Sequence, residues 1–168
     1  MNWNSISALM GRKNEEPASL AKKQEIAKLI RVYDSRVTAC ATTSISADLA
    51  ERLSNFVNEM PTLAKRDVGL TGLVQLMEIC ERSPGQRVPE LKLGSFESRA
   101  QTSFGVRMPM ELEERLRKLL RSLPGVTKRH VISAGLDLIL SQCEQLNGGP
   151  FPSSVAEPDS SGAGGDPR

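Results

Sequence analysis

Aromatic side chains are scarce in this sequence, since Phe, Trp and Tyr together make up 4% of its 168 residues. The apolar content comes instead from Leu, Val, Ile, Met and Ala, a composition that favours small helical cores. No run of about 18 apolar residues is present, and the N-terminus lacks the charged-then-apolar order of a secretory signal. We therefore expect a cytoplasmic protein without a membrane partner.

Cysteine and histidine are also too few for the common metal and catalytic sites. The three cysteines lie 40 and 63 residues apart, a spacing that matches neither a disulfide framework nor a zinc site. The single histidine, His130, has no second residue with which to form a catalytic pair. We expect no enzyme activity, no cofactor and no metal site.

The sequence contains an internal repeat with a period of 63 residues. Shifted by that distance, residues 33–81 align with residues 96–144 over 49 positions, without a gap and with 14 identities. Because the alignment is unbroken, the two copies are expected to share one fold. The identical positions include Arg52/Arg115, Pro61/Pro124, Lys65/Lys128, Arg66/Arg129, Gly72/Gly135, Cys80/Cys143 and Glu81/Glu144.

Each copy shows the pattern of a strand followed by two helices, most clearly in the second. Apolar and more polar residues alternate over 103–108, which predicts a short strand ending at Pro109. A leucine stripe over 112–123 predicts an amphipathic helix that ends at Pro124. Thr127 is placed to cap a second helix, and the shared register extends the same elements to the first copy.

One strand and two short helices cannot bury their own apolar faces, and a single strand leaves its edges unpaired. Antiparallel pairing of the two strands would satisfy those edges and let four helices close one core. We therefore predict a mainly α fold with a two-stranded antiparallel β ribbon, in which one chain forms a pseudo-dimer in the order β-α-α-linker-β-α-α.

The remaining residues divide into an arm, a linker and a tail. The predicted units are a flexible basic N-terminal arm over 1–32 that contains a helix over 19–32, a first unit over 33–81, a linker over 82–95, a second unit over 96–146 and a disordered tail over 147–168. Lys and Arg outnumber Asp and Glu by six to three in the arm, three to one in the linker and eight to six in the second copy. This distribution favours a polyanionic partner, although the first copy has four basic and seven acidic residues.

The second copy resembles the ribbon-helix-helix family of DNA-binding proteins. The resemblance lies in Phe104-Gly-Val-Arg-Met-Pro-Met-Glu-Leu and in Gly125-Val-Thr-Lys-Arg-His-Val-Ile-Ser-Ala-Gly-Leu. The family pattern is an alternating strand closed by proline, an acidic helix start, a leucine stripe, a Gly-x-Ser/Thr turn and a Val-Ile helix. The first copy departs from it at Ser46, Thr62 and Ala64, which replace the proline, the glycine and the capping residue.

The resemblance implies a protein that inserts its ribbon into the major groove of double-stranded DNA. The implied base-reading residues are Arg107, Gly105 and Ser103 of the second copy and Ser44, Thr42 and Cys40 of the first. The implied phosphate-binding residues, at the start of the second helix of each copy, are Thr127, Lys128, Arg129, Lys65 and Arg66. Because the two strand faces differ, we expect an asymmetric DNA site.

Several DNA transactions are compatible with this resemblance. A tandem arrangement is similar to TraY-like accessory proteins of conjugative or T-DNA transfer in bacteria, and a transcriptional repressor or a plasmid-partition adaptor are the alternatives. The N-terminal arm, with Arg12 and Lys13, would engage a relaxase, a coupling protein or a ParA-like ATPase, and neighbouring chains could stack side by side on DNA. The first copy is net negative and its outer strand residues include no Lys or Arg, so a protein-interaction module without DNA binding is the alternative of another class.

Overall fold

The computed structural model describes residues 17–33, 38–82 and 101–153. Its elements are α1 (Pro17–Leu29), β1 (Thr38–Ser46), α2 (Ala47–Glu59), α3 (Lys65–Arg82), β2 (Gln101–Pro109), α4 (Met110–Ser122) and α5 (Lys128–Asn147). The strands β1 and β2 pair antiparallel as a two-stranded sheet, α2 to α5 pack against one side of it, and α1 packs on α5.

The predicted fold class is wrong in its element pattern. The described residues contain five helices and one two-stranded sheet, and the first element is a helix, so the fold is not the predicted tandem strand-helix-helix pattern. The additional helix, α1, belongs to the core, because Ile26 is fully buried and Ile30, which follows the helix, is 6% exposed. The repeat gave no sign of this packing because α1 precedes the repeated residues.

The two strands lead directly into the amphipathic helices α2 and α4. Ser46 ends β1 and caps α2, since its Oγ accepts a hydrogen bond from the backbone N–H of Leu49 at 3.2 Å. Pro109 holds the equivalent position before α4 and has no capping side chain to offer. Ser46, through its capping hydroxyl, and Pro109, through its fixed φ, therefore each allow a strand to continue into a helix without an intervening loop.

Helices α3 and α5 cross at two glycines that are equivalent in the repeat. A Cβ added to Gly72 would overlap the carbonyl oxygen of Gly135, and a Cβ added to Gly135 would lie 2.8 Å from the backbone of Gly72. Any other residue at either position would force the helices apart. The crossing therefore brings the same point of each copy together.

The strand register also places equivalent residues opposite each other. Thr42 pairs with Gly105 in the middle of the ribbon, and these positions are 63 apart, which is the repeat period. The two pairs on either side of the centre are equivalent to each other. Cys40 lies opposite Arg107 and Ser103 lies opposite Ser44, and in the repeat Cys40 is equivalent to Ser103 and Arg107 to Ser44. An approximate two-fold axis therefore passes through the centre of the ribbon.

Ion pairs between the two copies follow the same relation. Arg52 donates from Nε and Nη2 to the two carboxylate oxygens of Glu144 at 2.9 and 2.8 Å. Arg115 donates in the same way to Glu81 at 3.1 and 2.8 Å. Among the residues that the structure describes, Arg52 alone of the two bonds a second acid, through a contact of 2.6 Å from Nη1 to Asp137 Oδ1. Each bidentate pair therefore joins one copy to the other.

The chain returns to the core after α5. Gly148, with φ of 85°, ends the helix in the left-handed region. Phe151 then packs edge-to-face on Phe56, with ring centroids 5.1 Å apart, and is 7% exposed. The sequence excluded 147–168 from the fold, whereas Phe151 belongs to the core; residues 154–168 lie outside the described residues.

Two other predicted segments lie partly or wholly outside the residues that the structure describes. These are residues 1–16, with Arg12 and Lys13, and all of the predicted linker over 82–95 except Arg82, which ends α3. Among the described helices, none combines the length and apolar character needed to cross a bilayer.

Candidate nucleic-acid interface

The ribbon has an inner face that packs on the helices and an outer face that is open to solvent. On the inner face Phe104, Val106 and Met108 of β2 are at most 7% exposed, and Ala41 and Ile45 of β1 are at most 3% exposed. The outer face carries Cys40, Thr42, Ser103, Gly105 and Arg107, all exposed, and the half-buried Ser44. The structure thus brings the six predicted base-reading residues together on one surface, the outer ribbon face.

Arg107 is the one charged side chain among these six residues. It lies opposite Cys40, whose Sγ is 3.8 Å from Thr42 Oγ1 on the same strand. Within the described residues Arg107 makes no hydrogen bond or ion pair. An exposed guanidinium therefore stands among small neighbours, with nothing in the described protein to neutralise it.

The ribbon is held closely on the helix beneath it. A Cβ added to Gly69 of α3 would lie 2.9 Å from the ring of Phe104 and 3.8 Å from Val106. The missing side chain lets the helix backbone approach β2, so the buried ring fills the space between them. Close packing on this side leaves the outer ribbon face as a firmly supported surface.

The start of α5 carries an uncompensated positive charge at one end of the ribbon. Thr127 and His130 form a capping box: Thr127 Oγ1 accepts from the His130 N–H at 3.4 Å, and His130 Nδ1 accepts from the Thr127 N–H at 3.2 Å. The ammonium of Lys128 makes no hydrogen bond or ion pair with the described residues. This helix end therefore combines the positive pole of the dipole with a lysine available to an anion.

Arg129 turns toward the ribbon and contacts Gln101, the first residue of β2. With the Gln101 amide oriented to satisfy both neighbours, its oxygen accepts from the two terminal nitrogens of Arg129 at 2.7 and 3.1 Å. Its nitrogen donates to Ser44 Oγ at 3.0 Å. Sequence reasoning missed Gln101, although it lies one strand period before Ser103 and is exposed.

The start of α3, which the prediction treats as equivalent, differs from that of α5. Arg66 donates from Nη2 to the backbone oxygen of Tyr33 at 2.9 Å and to Asp67 Oδ1 at 3.3 Å. Lys65 donates to Ser54 Oγ at 3.0 Å, and Asp67 is only 5% exposed. Both basic residues at this end therefore have partners inside the protein, and a buried acid lies beside them.

Residues that follow α1 form hydrogen bonds with side chains in the first turns of α3. The N–H of Arg31 donates to Thr71 Oγ1 at 3.0 Å, and the N–H of Tyr33 donates to Asp67 Oδ1 at 3.4 Å. Burial raises the pKa of the Tyr33 phenol above its usual value. The connection after α1 thus uses the start of α3 as a structural anchor, a role that the repeat does not predict because Asp67 and Thr71 align with His130 and Ala134 in the second copy.

Comparison of the chain with protein-family models, with curated proteins and with solved structures finds no match in any of the three.

Proposed function

We propose that this protein binds double-stranded DNA by placing the outer ribbon face in the major groove. The observation that supports this most directly is the unpaired Arg107 among small polar residues on a rigidly backed two-stranded ribbon. Two strands about 4.8 Å apart, with short side chains, fit a groove about 12 Å wide. The buried inner face holds the ribbon in position, so little order has to be gained on binding.

Arg107 would read a guanine. Its planar guanidinium presents two parallel N–H donors that match guanine O6 and N7, and the Cys40 side chain opposite it is too short to obstruct them. At Gly105 no atom of the described residues beyond its chain neighbours lies within 4 Å of the position that a Cβ would take, so the ribbon backbone can approach the base edges closely at its centre.

Lys128 and the hydroxyl of Thr127 would bind the DNA backbone at the start of α5. Both are close to the helix dipole's positive pole, where phosphate is favoured. At the start of α3, Lys65 could exchange its bond to Ser54 for a phosphate, whereas Arg66 is held by Tyr33 and Asp67. Phosphate contacts fix the position of the ribbon on DNA, so this difference strengthens one side of the complex.

The proposed DNA site is asymmetric. The two-fold axis passes between Thr42 and Gly105, and it relates Arg107 to Ser44. One half of the site would therefore meet an arginine where the other half meets a serine. Among DNA transactions, the duplication favours an accessory role in conjugative or T-DNA transfer, with repression and plasmid partition as alternatives.

Selection of bound sequences from a random DNA pool, repeated with two alanine variants, tests this function. We expect Arg107→Ala to cost about 1–3 kcal/mol on the preferred site and to relax the preference for one guanine, because base recognition is lost. Lys128→Ala should weaken binding to all sequences alike and lower the slope of log affinity against log salt by about 1. Arg82→Ala is the matched control, since it removes the same charge from the far end of α3.

Two results would contradict the proposal in different ways. Absence of DNA binding at low salt would favour a protein-interaction module, an alternative that the internal partners of Lys65 and Arg66 support. An unchanged sequence preference in Arg107→Ala would show that DNA binds to a surface other than the outer ribbon face.

A further inference from the structure

Gln101 occupies the end of the ribbon opposite Arg107. The two residues are six positions apart on β2, and both side chains are exposed on the outer face. Its partner in the register, Ser46, is 5% exposed and turned toward the start of α2, so it does not compete for the same space. Gln101 is therefore the side chain that a DNA base would meet at this end.

The orientation of the Gln101 amide is fixed by its neighbours. The oxygen accepts from two nitrogens of Arg129, and one amide hydrogen is donated to Ser44 Oγ. A glutamine amide has two N–H donors, so one N–H is left to face outward. An amide that could rotate freely would offer either an oxygen or a nitrogen to a base, whereas this one presents a donor.

We propose that Gln101, oriented by Arg129 and Ser44, is a further specificity-determining residue at the second end of the ribbon, where it selects a base that presents an acceptor. This inference depends on the proposed DNA-binding function. Purines and thymine each carry a major-groove acceptor, whereas cytosine presents only its amino donor there. Gln101 would therefore discriminate against cytosine at the base it faces.

The geometry also assigns Arg129 a different role from Lys128. Lys128 has no partner within the described residues, whereas both terminal nitrogens of Arg129 contact the Gln101 oxygen. Arg129 is thus a positioning residue, which acts on the base through Gln101. The six residue steps from Gln101 to Arg107 span about 20 Å at about 3.4 Å each, which places the two specified bases about six base pairs apart.

The test is binding-site selection and titration with full-length protein carrying Gln101→Ala, Gln101→Glu or Arg129→Lys. Gln101→Ala should reduce discrimination against cytosine about fivefold at one position, about six base pairs from the guanine of Arg107. Gln101→Glu should shift the preference at that position toward cytosine, because a carboxylate accepts from the cytosine amino group. Arg129→Lys keeps the positive charge, but a lysine has one nitrogen and cannot donate to the Gln101 amide oxygen from two nitrogens at once. It should therefore reduce the same discrimination without weakening binding overall.

The outcomes separate this inference from the function on which it depends. If wild-type protein does not bind DNA, the proposed function fails and the inference fails with it. If wild-type protein binds and Arg107→Ala relaxes its own position, but the Gln101 variants keep the wild-type preference, the inference alone is overturned. A uniform loss of affinity in Arg129→Lys would instead make Arg129 a phosphate contact. Thermal unfolding of each variant ensures that only folded protein is compared.

Discussion

The three cysteines show how position changes the chemistry of one residue type. Cys143 is fully buried, and burial raises the pKa of its thiol to about 12. Its counterpart Cys80 is half-buried, and burial is again the main cause of its raised pKa. Cys40 is exposed on the outer ribbon face. Because the thiolate is the reactive form, Cys40 should be the one thiol that reacts readily in the folded protein.

A bulky maleimide should therefore label Cys40 first and abolish DNA binding. The attached group would fill the groove beside Arg107, which Cys40 faces in the register. Peptide mass spectrometry identifies the labelled residue, and an electrophoretic mobility shift measures binding before and after treatment.

Cys40→Ser provides the control for this labelling, since serine occupies the equivalent position 103 of the second copy. The variant should bind DNA with or without maleimide. Retained binding by protein fully labelled at Cys40 would place the DNA interface elsewhere.

At the residue scale, the sequence identified surface positions better than it identified partners. The outer ribbon residues follow from a two-residue period, which is a local property of a strand. The engagement of Arg66 with Tyr33 and of Arg129 with Gln101 depends on where distant segments lie. Identical Lys-Arg pairs therefore looked equivalent in the sequence, while the fold gives them different contacts.

At the scale of the elements, α2 and α4 were predictable because an apolar stripe at helical spacing and a following proline mark each of them. The sequence predicted helical structure for α1 but not its packing, because Ile26 is its one buried side chain among the positions 18–29 whose burial is described. Its packing is specified by contacts with residues far along the chain, which neither periodicity nor the repeat records. The predicted fold class failed at this element.

Gly72→Ala tests the crossing of α3 and α5. Alanine has the higher helix propensity, by about 1 kcal/mol, yet its Cβ would overlap the Gly135 carbonyl. We expect a net loss of about 1–3 kcal/mol in the free energy of unfolding, measured by urea denaturation with circular dichroism.

Gly105→Ala is the matched control for the same substitution on the ribbon, where no atom lies within 4 Å of the added Cβ. Its stability should change by less than about 0.5 kcal/mol. A rise in stability for Gly72→Ala would mean that the two helices do not touch at this point.

At the scale of the whole molecule, the two ion pairs that join the copies differ in burial. The side chains of Arg52 and Glu144 are 22% and 19% exposed, and those of Arg115 and Glu81 are 37% and 45% exposed. Arg52 also bonds Asp137 and Ser141, and its hydrogen bonds to the carboxylates of Glu144 and Asp137 hold its pKa above the usual arginine value. The less exposed pair, Arg52 with Glu144, should therefore contribute more to holding the copies together.

Arg52→Ala should lower the free energy of unfolding by about 2 kcal/mol, because it leaves two acids without their shared partner. Arg115→Ala should cost less than about 1 kcal/mol, as is usual for exposed pairs. Urea denaturation of both variants at one pH measures the difference, and equal losses would contradict the assigned burial.

The pH dependence of the free energy of unfolding provides a second test of the Arg115–Glu81 pair. The hydrogen bond from Arg115 lowers the pKa of Glu81 in the folded state. The resulting stabilisation is complete above the glutamate pKa of the unfolded chain, about 4.3, and is lost as the pH falls through the lower folded value. Arg115→Ala should therefore show a smaller loss of stability than wild type over this acidic range.

The central pairing of Thr42 with Gly105 has a consequence for how a target of this ribbon could change over generations. In an assembly of two identical chains, every substitution appears twice, so a gain at one half-site has to be tolerated at the other. Here the strands are encoded separately, and a codon change at position 107 leaves its counterpart at position 44 untouched. Each half of the proposed DNA site could therefore diverge independently, and a change of preference in one half would require substitutions on only one strand.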